Sequence, residues 1–383
     1  MAGALDGVRV LEFASYVAGP YAGMMLADLG AEVIKIEQPG TGDPFRDWGD
    51  GGYSPTFEAL NRNKKSVVMD LKSELGRVQI KALIASADIL IENFRPGVMD
   101  RMGLGYKTVA AENDRLIYCS ITGFGSTGPY QDWPGYDTVG QGMGGLLSLM
   151  TERDDPKPVG YSFTDHFAGI AASQGILGAL FCRERTGKGQ CVETSLLQAT
   201  VSLTGENAAR YFYDGRVPDR AERTRLAQVF AFVDRNKRPF VVHLSSPEKF
   251  WEGLLRATGR PDLGKDKRFA TRSDRMKNYD ALRAVLAEVF LAGSRKEWLK
   301  ALRDNDVPAA PLNTLAEVFN DPQVRHLGMK QTLEHPTEGT VSLVAGGYNM
   351  SETPLTIRTP APSLGQHNEE LLGAIKDTAP AKS

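Results

Sequence analysis

The sequence predicts an α/β fold, with a large Rossmann-like domain built on a mostly parallel sheet and a smaller α+β domain beside it. Three observations carry this expectation. Short β-rich runs alternate with helical stretches through the first 125 residues, the pattern of a sheet with helices on both faces. The segments that follow those runs are rich in Gly, Pro and polar residues, as functional loops at strand ends are. Composition then shifts between Arg210 and Ala227, and a second set of strands and helices follows.

The elements follow in order. "VRVLEFA" reads as the first strand and "GPYAGMMLADLGA" as a helix, with Pro20 suited to its first turn. "EVIKIE" is the second strand, followed by the Gly/Pro/Asp loop "QPGTGDPFRDWGDGG". "KKSVVMDL" is a strand and "SELGRVQIKALIASA" an amphipathic helix. "DILIENF" and "RLIYCSITGFG" are further strands separated by a helical stretch. Phe167 to Arg185 reads as a long helix despite Gly169, Gly175 and Gly178, which predict that another backbone packs close against it.

The stretch "RYFYDGRVPDRAERTRLA" is charged, lacks apolar periodicity and reads as a linker. The predicted division is therefore a large domain over 1–209, a linker over 210–227, a small domain over 228–320 and a tail over 321–383 that returns to the large domain.

The chain has 383 residues, 42% hydrophobic and 24% charged, an ordinary soluble composition. A formal charge of −2 gives no reason to expect nucleic acid as a partner. No apolar run nears the roughly 18 residues of a membrane span, and the N-terminal residues lack a signal pattern. A cytoplasmic protein is expected. The five histidines are scattered without HxH or HExxH spacing, so no metal site is predicted. Walker A, G-x-S-x-G and G-x-G-x-x-G patterns are all missing, the last counting against a dinucleotide enzyme although Glu37 ends the second strand. Cys119, Cys182 and Cys191 read as buried, inert thiols.

Carboxylates remain, and Asp165 in "GYSFTDHFAGIAASQGILGAL" stands out. One reading makes it a helix N-cap. The other makes it a nucleophile, held ionised by the terminal N–H groups, which also offer an oxyanion site. Chemistry alone leaves both open.

The run of "VLEFASYVAGPYAGMMLADLGAEVIKIEQPGTGDPFR", "NRNKKSVVMDLKS", "ADILIENFRPGVMDRMGLGY" and "ITGFGSTGPY" resembles the class III CoA-transferases, a family that includes formyl-CoA transferase and α-methylacyl-CoA racemase. "FTDHFAGIAASQGILGALFCRERTGKGQCVETSLLQA", "NDVPAAPLNTLAEVFNDPQV" and "APSLGQHNEELL" extend the resemblance over nearly the whole chain.

The resemblance implies that Asp165 is the nucleophile and carries, in turn, an acyl anhydride and a CoA thioester. It implies an acyl-CoA and a free carboxylic acid as substrates, with no cofactor apart from the coenzyme A they share. It places Ser15, Tyr16 and Ala18 of the first loop, with Asn93 and Phe94, at the CoA site, and sets Arg101 and Lys72 on its phosphates. Arg46 is a weaker candidate of the same kind. Tyr136 and Asp137 are expected at the CoA region, Asp137 reading equally as a turn residue after Pro-Gly. The family's architecture implies a homodimer of interlocked rings.

Two departures qualify this. Racemases of the family carry an acid/base histidine where this chain has Tyr136, so racemisation ranks behind transfer, with His166 keeping it open. Formyl-CoA transferase has a glycine run in the middle domain where this chain reads "RLAQVFAFVDRNKRPF", which counts against formyl substrates. A CoA-binding protein without catalysis is the third reading. Donor and acceptor stay unnamed.

Overall fold

Apolar, β-branched runs at the centre of a parallel sheet are buried on both faces, and this chain has five of them in its first 122 residues. In the computed structural model, which describes residues 3–49 and 53–376, they form β1 (Arg9–Phe13), β2 (Glu32–Glu37), β3 (Lys64–Val68), β4 (Ile89–Glu92) and β5 (Ile117–Thr122), with β6 (Cys191–Ser195) added later. All six pair in parallel in the order β3-β2-β1-β4-β5-β6. Strand order reverses between β1 and β4, where the loops leaving them diverge and open a crevice.

Helices cover both faces. On one, α1 (Ala18–Asp28) lies with two later helices against Val10, Val33, Ile91 and Ile121. On the other, α3 (Glu74–Ala85), the short α4 (Val98–Arg101) and α5 (Tyr106–Glu112) contribute Ile80, Met99 and Val109 to a second core, while α2 (Pro55–Asn61) packs Phe57 and Leu60 with Val17, Phe45 and Tyr21 beside α1. After β5 come α6 (Asp137–Met143) and the 24-residue α7 (Phe163–Thr186). Gly169 of α7 meets α1: a Cβ there would stand 2.8 Å from the Ala18 carbonyl oxygen. Gly178 faces open space, so close packing explains only part of the glycine content predicted to serve it.

The edge of β3 is covered by the returning C-terminal segment. Ser66 N donates to His367 Nδ1 at 3.1 Å and Val68 N to Asn368 Oδ1 at 2.8 Å, ahead of a last helix, Asn368–Lys376. Capping an edge strand's unpaired N–H groups this way removes a site for unwanted strand pairing.

The chain divides into two compact units, 1–214 with 325–383, and 215–324. The stretch read as a linker is largely helical: it holds the end of α9 (Gly205–Asp214), which follows α8 (Leu196–Leu203), and then α10 (Glu222–Leu226). The second unit has an antiparallel sheet, β7 (Val229–Val233), β8 (Pro239–His243) and β9 (Ala309–Pro311), against Leu254, Leu282, Phe290 and Leu302 of its helices. Its buried Arg275 bonds Gln228 and Glu248 and stacks over Trp251. No helix among the described residues is long and apolar enough to cross a membrane.

Candidate active site

The crevice between β1 and β4 is a pocket of about 260 Å³. The loop after β1 supplies Tyr16, Val17 and Ala18; the loop after β4 supplies Asn93, Phe94 and Arg95. Thr122 and Gly123 come from the end of β5, Trp133 and Tyr136 from the long loop that follows, and Asp165 from the first turn of α7. Six of the predicted residues therefore share one pocket: Asp165, Tyr16, Ala18, Asn93, Phe94 and Tyr136. Ser15 and Asp137 stand directly behind it, as their bonds show.

Asn93 is a brace between two pocket loops. Its Oδ1 accepts from Ser15 N at 3.0 Å and its Nδ2 donates to the Ser15 carbonyl at 2.8 Å, which engages the whole amide. Lys72 and Arg101 are solvent-exposed and lie outside the lining. Arg46 is taken by the fold: it forms a bidentate pair with Glu37, at 2.8 and 2.7 Å, and donates to the Pro362 carbonyl. That pair also accounts for Glu37. Cys119 is buried, whereas Cys182 is exposed on the outer face of α7 and Cys191 half-buried, so burial as predicted holds only for the first.

Asp165 is not the N-cap. Ser162 holds that position, and Asp165 is the third residue of α7. The cap is delivered from another element: Asp137 Oδ1, at the start of α6, accepts from Thr164 N at 2.8 Å and Asp165 N at 3.1 Å. Asp137 Oδ2 accepts from the buried Gln141, which also donates to the Tyr161 carbonyl at 3.1 Å. The helix N–H groups expected to keep Asp165 ionised are thus engaged by a second carboxylate. Burial, and after it the negative charge of Asp137, push the Asp165 pKa up from 3.8 to about 7. This corrects the expectation of a carboxylate held firmly in its anionic form.

His166 turns elsewhere. Adjacent residues on a helix point about 100° apart, and His166 lines a different cavity, of about 410 Å³, with Tyr21, Tyr161 and Tyr348. Its Nδ1 is bonded to the Ser162 carbonyl at 2.8 Å, and its ring stacks on Tyr161. No histidine lines the Asp165 pocket.

Residues 5–368 match the sequence profile of CoA-transferase family III. The chain belongs to that family. Succinate–glutarate CoA-transferase of Agrobacterium fabrum is 35% identical over 97% of this chain and 96% of its own length. Acetyl-CoA:oxalate CoA-transferase of Acetobacter aceti is 38% identical over 84% of both chains. Among solved structures, a CAIB/BAIF family protein from Brucella suis aligns with a TM-score of 0.87 at 37% identity, covering 98% of this chain and all of the other.

The pocket of this CoA-transferase also holds Arg95, Thr122, Gln131 and Trp133, which the sequence reading did not name. Each lies in a loop singled out after a strand, but the sequence shows no direction for the side chains. Among the described residues, Arg95 is the one cation on the pocket lining.

Proposed function

We propose that this CoA-transferase moves CoA from an acyl-CoA to a carboxylic acid through covalent intermediates on Asp165. The observation carrying the proposal is the Asp165 carboxylate itself, inside the switch-point pocket with a pKa near 7 and a second carboxylate behind it. A carboxylate of raised pKa is more basic, hence more nucleophilic, than an ordinary one, and part of it is still ionised at neutral pH.

Asp165 attacks the donor's thioester carbonyl, the C–S bond breaks, and CoA leaves as its thiolate. The thiolate attacks the aspartyl carbonyl of the resulting anhydride, releasing the donor acid and leaving CoA in thioester linkage to Asp165. The acceptor carboxylate repeats the sequence in reverse: it attacks the aspartyl thioester and expels the thiolate, and the thiolate then attacks the acceptor's acyl carbonyl in the new anhydride, forming acyl-CoA and freeing the Asp165 carboxylate. Every bond formed is matched by one broken, and no redox partner or metal enters. Water must be kept from the anhydride, since its hydrolysis would discard the thioester.

By their names, one relative transfers CoA between succinate and glutarate and the other between acetyl-CoA and oxalate. A short dicarboxylic acid is the proposed acceptor class, with Arg95 as counter-charge for its second carboxylate. The proposed active form is a homodimer of interlocked rings, consistent with the exposed Phe181, Phe212 and Tyr213.

The test is incubation with succinyl-CoA and labelled glutarate, followed by hydroxylamine trapping and peptide mapping. Label in glutaryl-CoA with the adduct on Asp165 supports the mechanism; an adduct elsewhere refutes it. Exchange of an α-proton for deuterium without transfer would favour the racemase reading, against which the missing pocket histidine counts.

A further inference from the structure

We propose that the buried ion pair between Lys35 and Asp43 is a positioning device that acts through Tyr16; the inference rests on the Asp165 pocket being the site of transfer. Tyr16 has φ +66°, a left-handed conformation that disfavours any residue with a β-carbon and persists only where the surroundings over-determine it. The charged side chains that restrain it, Glu12, Lys35, Asp43 and Lys64, are buried. Asp43 Oδ1 accepts from Tyr16 N at 3.2 Å, while Asp43 Oδ2 pairs with Lys35 Nζ at 2.8 Å. Lys35 Nζ also donates to the Ala14 carbonyl at 2.7 Å and to Glu12 Oε1 at 3.0 Å. The other Glu12 oxygen pairs with Lys64, whose ammonium donates to the Pro20 carbonyl at 2.8 Å. With Asn93 holding both backbone groups of Ser15, the turn is fixed at Ala14, Ser15, Tyr16 and Pro20.

Fixing the turn aims one side chain. The Tyr16 ring meets Phe45 edge-on at 5.4 Å and Tyr136 edge-on at 6.1 Å. Both tyrosines line the pocket with Asp165, so a phenol O–H is available there to a reacting carbonyl oxygen. Tyr136 is 62% exposed and receives its orientation from Tyr16. Lys35 and Asp43 touch no substrate; they are positioning residues.

The experiment is a double-mutant cycle of Asp43→Asn and Tyr16→Phe in the full-length chain, assayed with succinyl-CoA and glutarate. Asn keeps the acceptor for Tyr16 N and removes the pairing with Lys35. Each single variant should lower kcat about tenfold with the acyl-CoA KM within about twofold, and the pair should lose little more than either alone. Fully additive losses, or a change confined to KM, would overturn the proposal. If Asp43→Asn does not fold, Tyr16→Gly decides: it should raise the melting temperature by relieving the turn, yet lower kcat as Tyr16→Phe does. A fall in melting temperature, or unchanged kcat, would overturn it. Wild-type protein without any transfer would overturn the reading of the pocket as well, whereas transfer with additive losses removes this proposal alone.

Discussion

Replacing Asp165 by Asn should abolish transfer and stabilise the protein, the stabilisation growing with pH. The carboxyl has an ordinary pKa of 3.8 and is pushed up to about 7 in the folded chain, first by burial and then by Asp137. Below pH 3.8 it is protonated in both folded and unfolded states and contributes nothing to the pH dependence. Between 3.8 and about 7 the folded state keeps a proton that the unfolded chain has released, so stability falls as pH rises. At 1.36 kcal/mol per pH unit the whole interval amounts to about 4 kcal/mol, an upper bound that partial exposure reduces to about 2–4 kcal/mol. Asn has nearly the same shape and no proton to lose. The variant should therefore be more stable than wild type by no more than about 1 kcal/mol at pH 4.5, and by about 2–4 kcal/mol at pH 8.5. Urea melts at both pH values, with m-values checked for constancy, measure this directly. Equal stability difference at the two pH values would show that Asp165 is not held against ionisation, and the argument for its enhanced basicity would fail.

Asp137→Asn keeps the Oδ1 acceptor for Thr164 N and Asp165 N but removes the like charge, so the acid limb of the kcat/KM profile should move to lower pH; an unmoved limb would assign the whole shift to burial. Gly169→Ala should destabilise by about 1–3 kcal/mol in thermal melts, because its methyl would sit 2.8 Å from the Ala18 carbonyl and force α1 from α7; a neutral effect would deny that contact. Arg95→Ala should raise the KM for glutarate about tenfold while leaving that for a monocarboxylic acceptor within about twofold; equal effects on both acceptors would place the guanidinium on CoA instead.

What the residues disclosed in advance follows from which interactions are local. The five early strands were readable because a parallel sheet buries both faces, and runs such as "EVIKIE" and "DILIENF" need no partner to be recognised. The pocket's place was readable for the same reason, since a strand-order reversal puts it at the strand ends. Helix α9 was missed because it has no buried residue: without a packed face, Tyr211, Phe212 and Tyr213 look like a charged linker's neighbours. The divergence of His166 from Asp165 follows from the turn of about 100° between adjacent helical residues, and the two line different cavities. The cap from Asp137 was not readable, since 28 residues separate it from the N–H group it serves. Nor was the capture of Arg46, which depends on Pro362, a residue more than 300 positions away. These non-local bonds set Asp165 apart from a carboxylate that merely caps its own helix. Burial raises its pKa first, and Asp137, which occupies the N–H groups of Thr164 and Asp165, adds a like charge behind it. On the proposed mechanism, the same two causes that make ionisation costly give the carboxylate its basicity as a nucleophile.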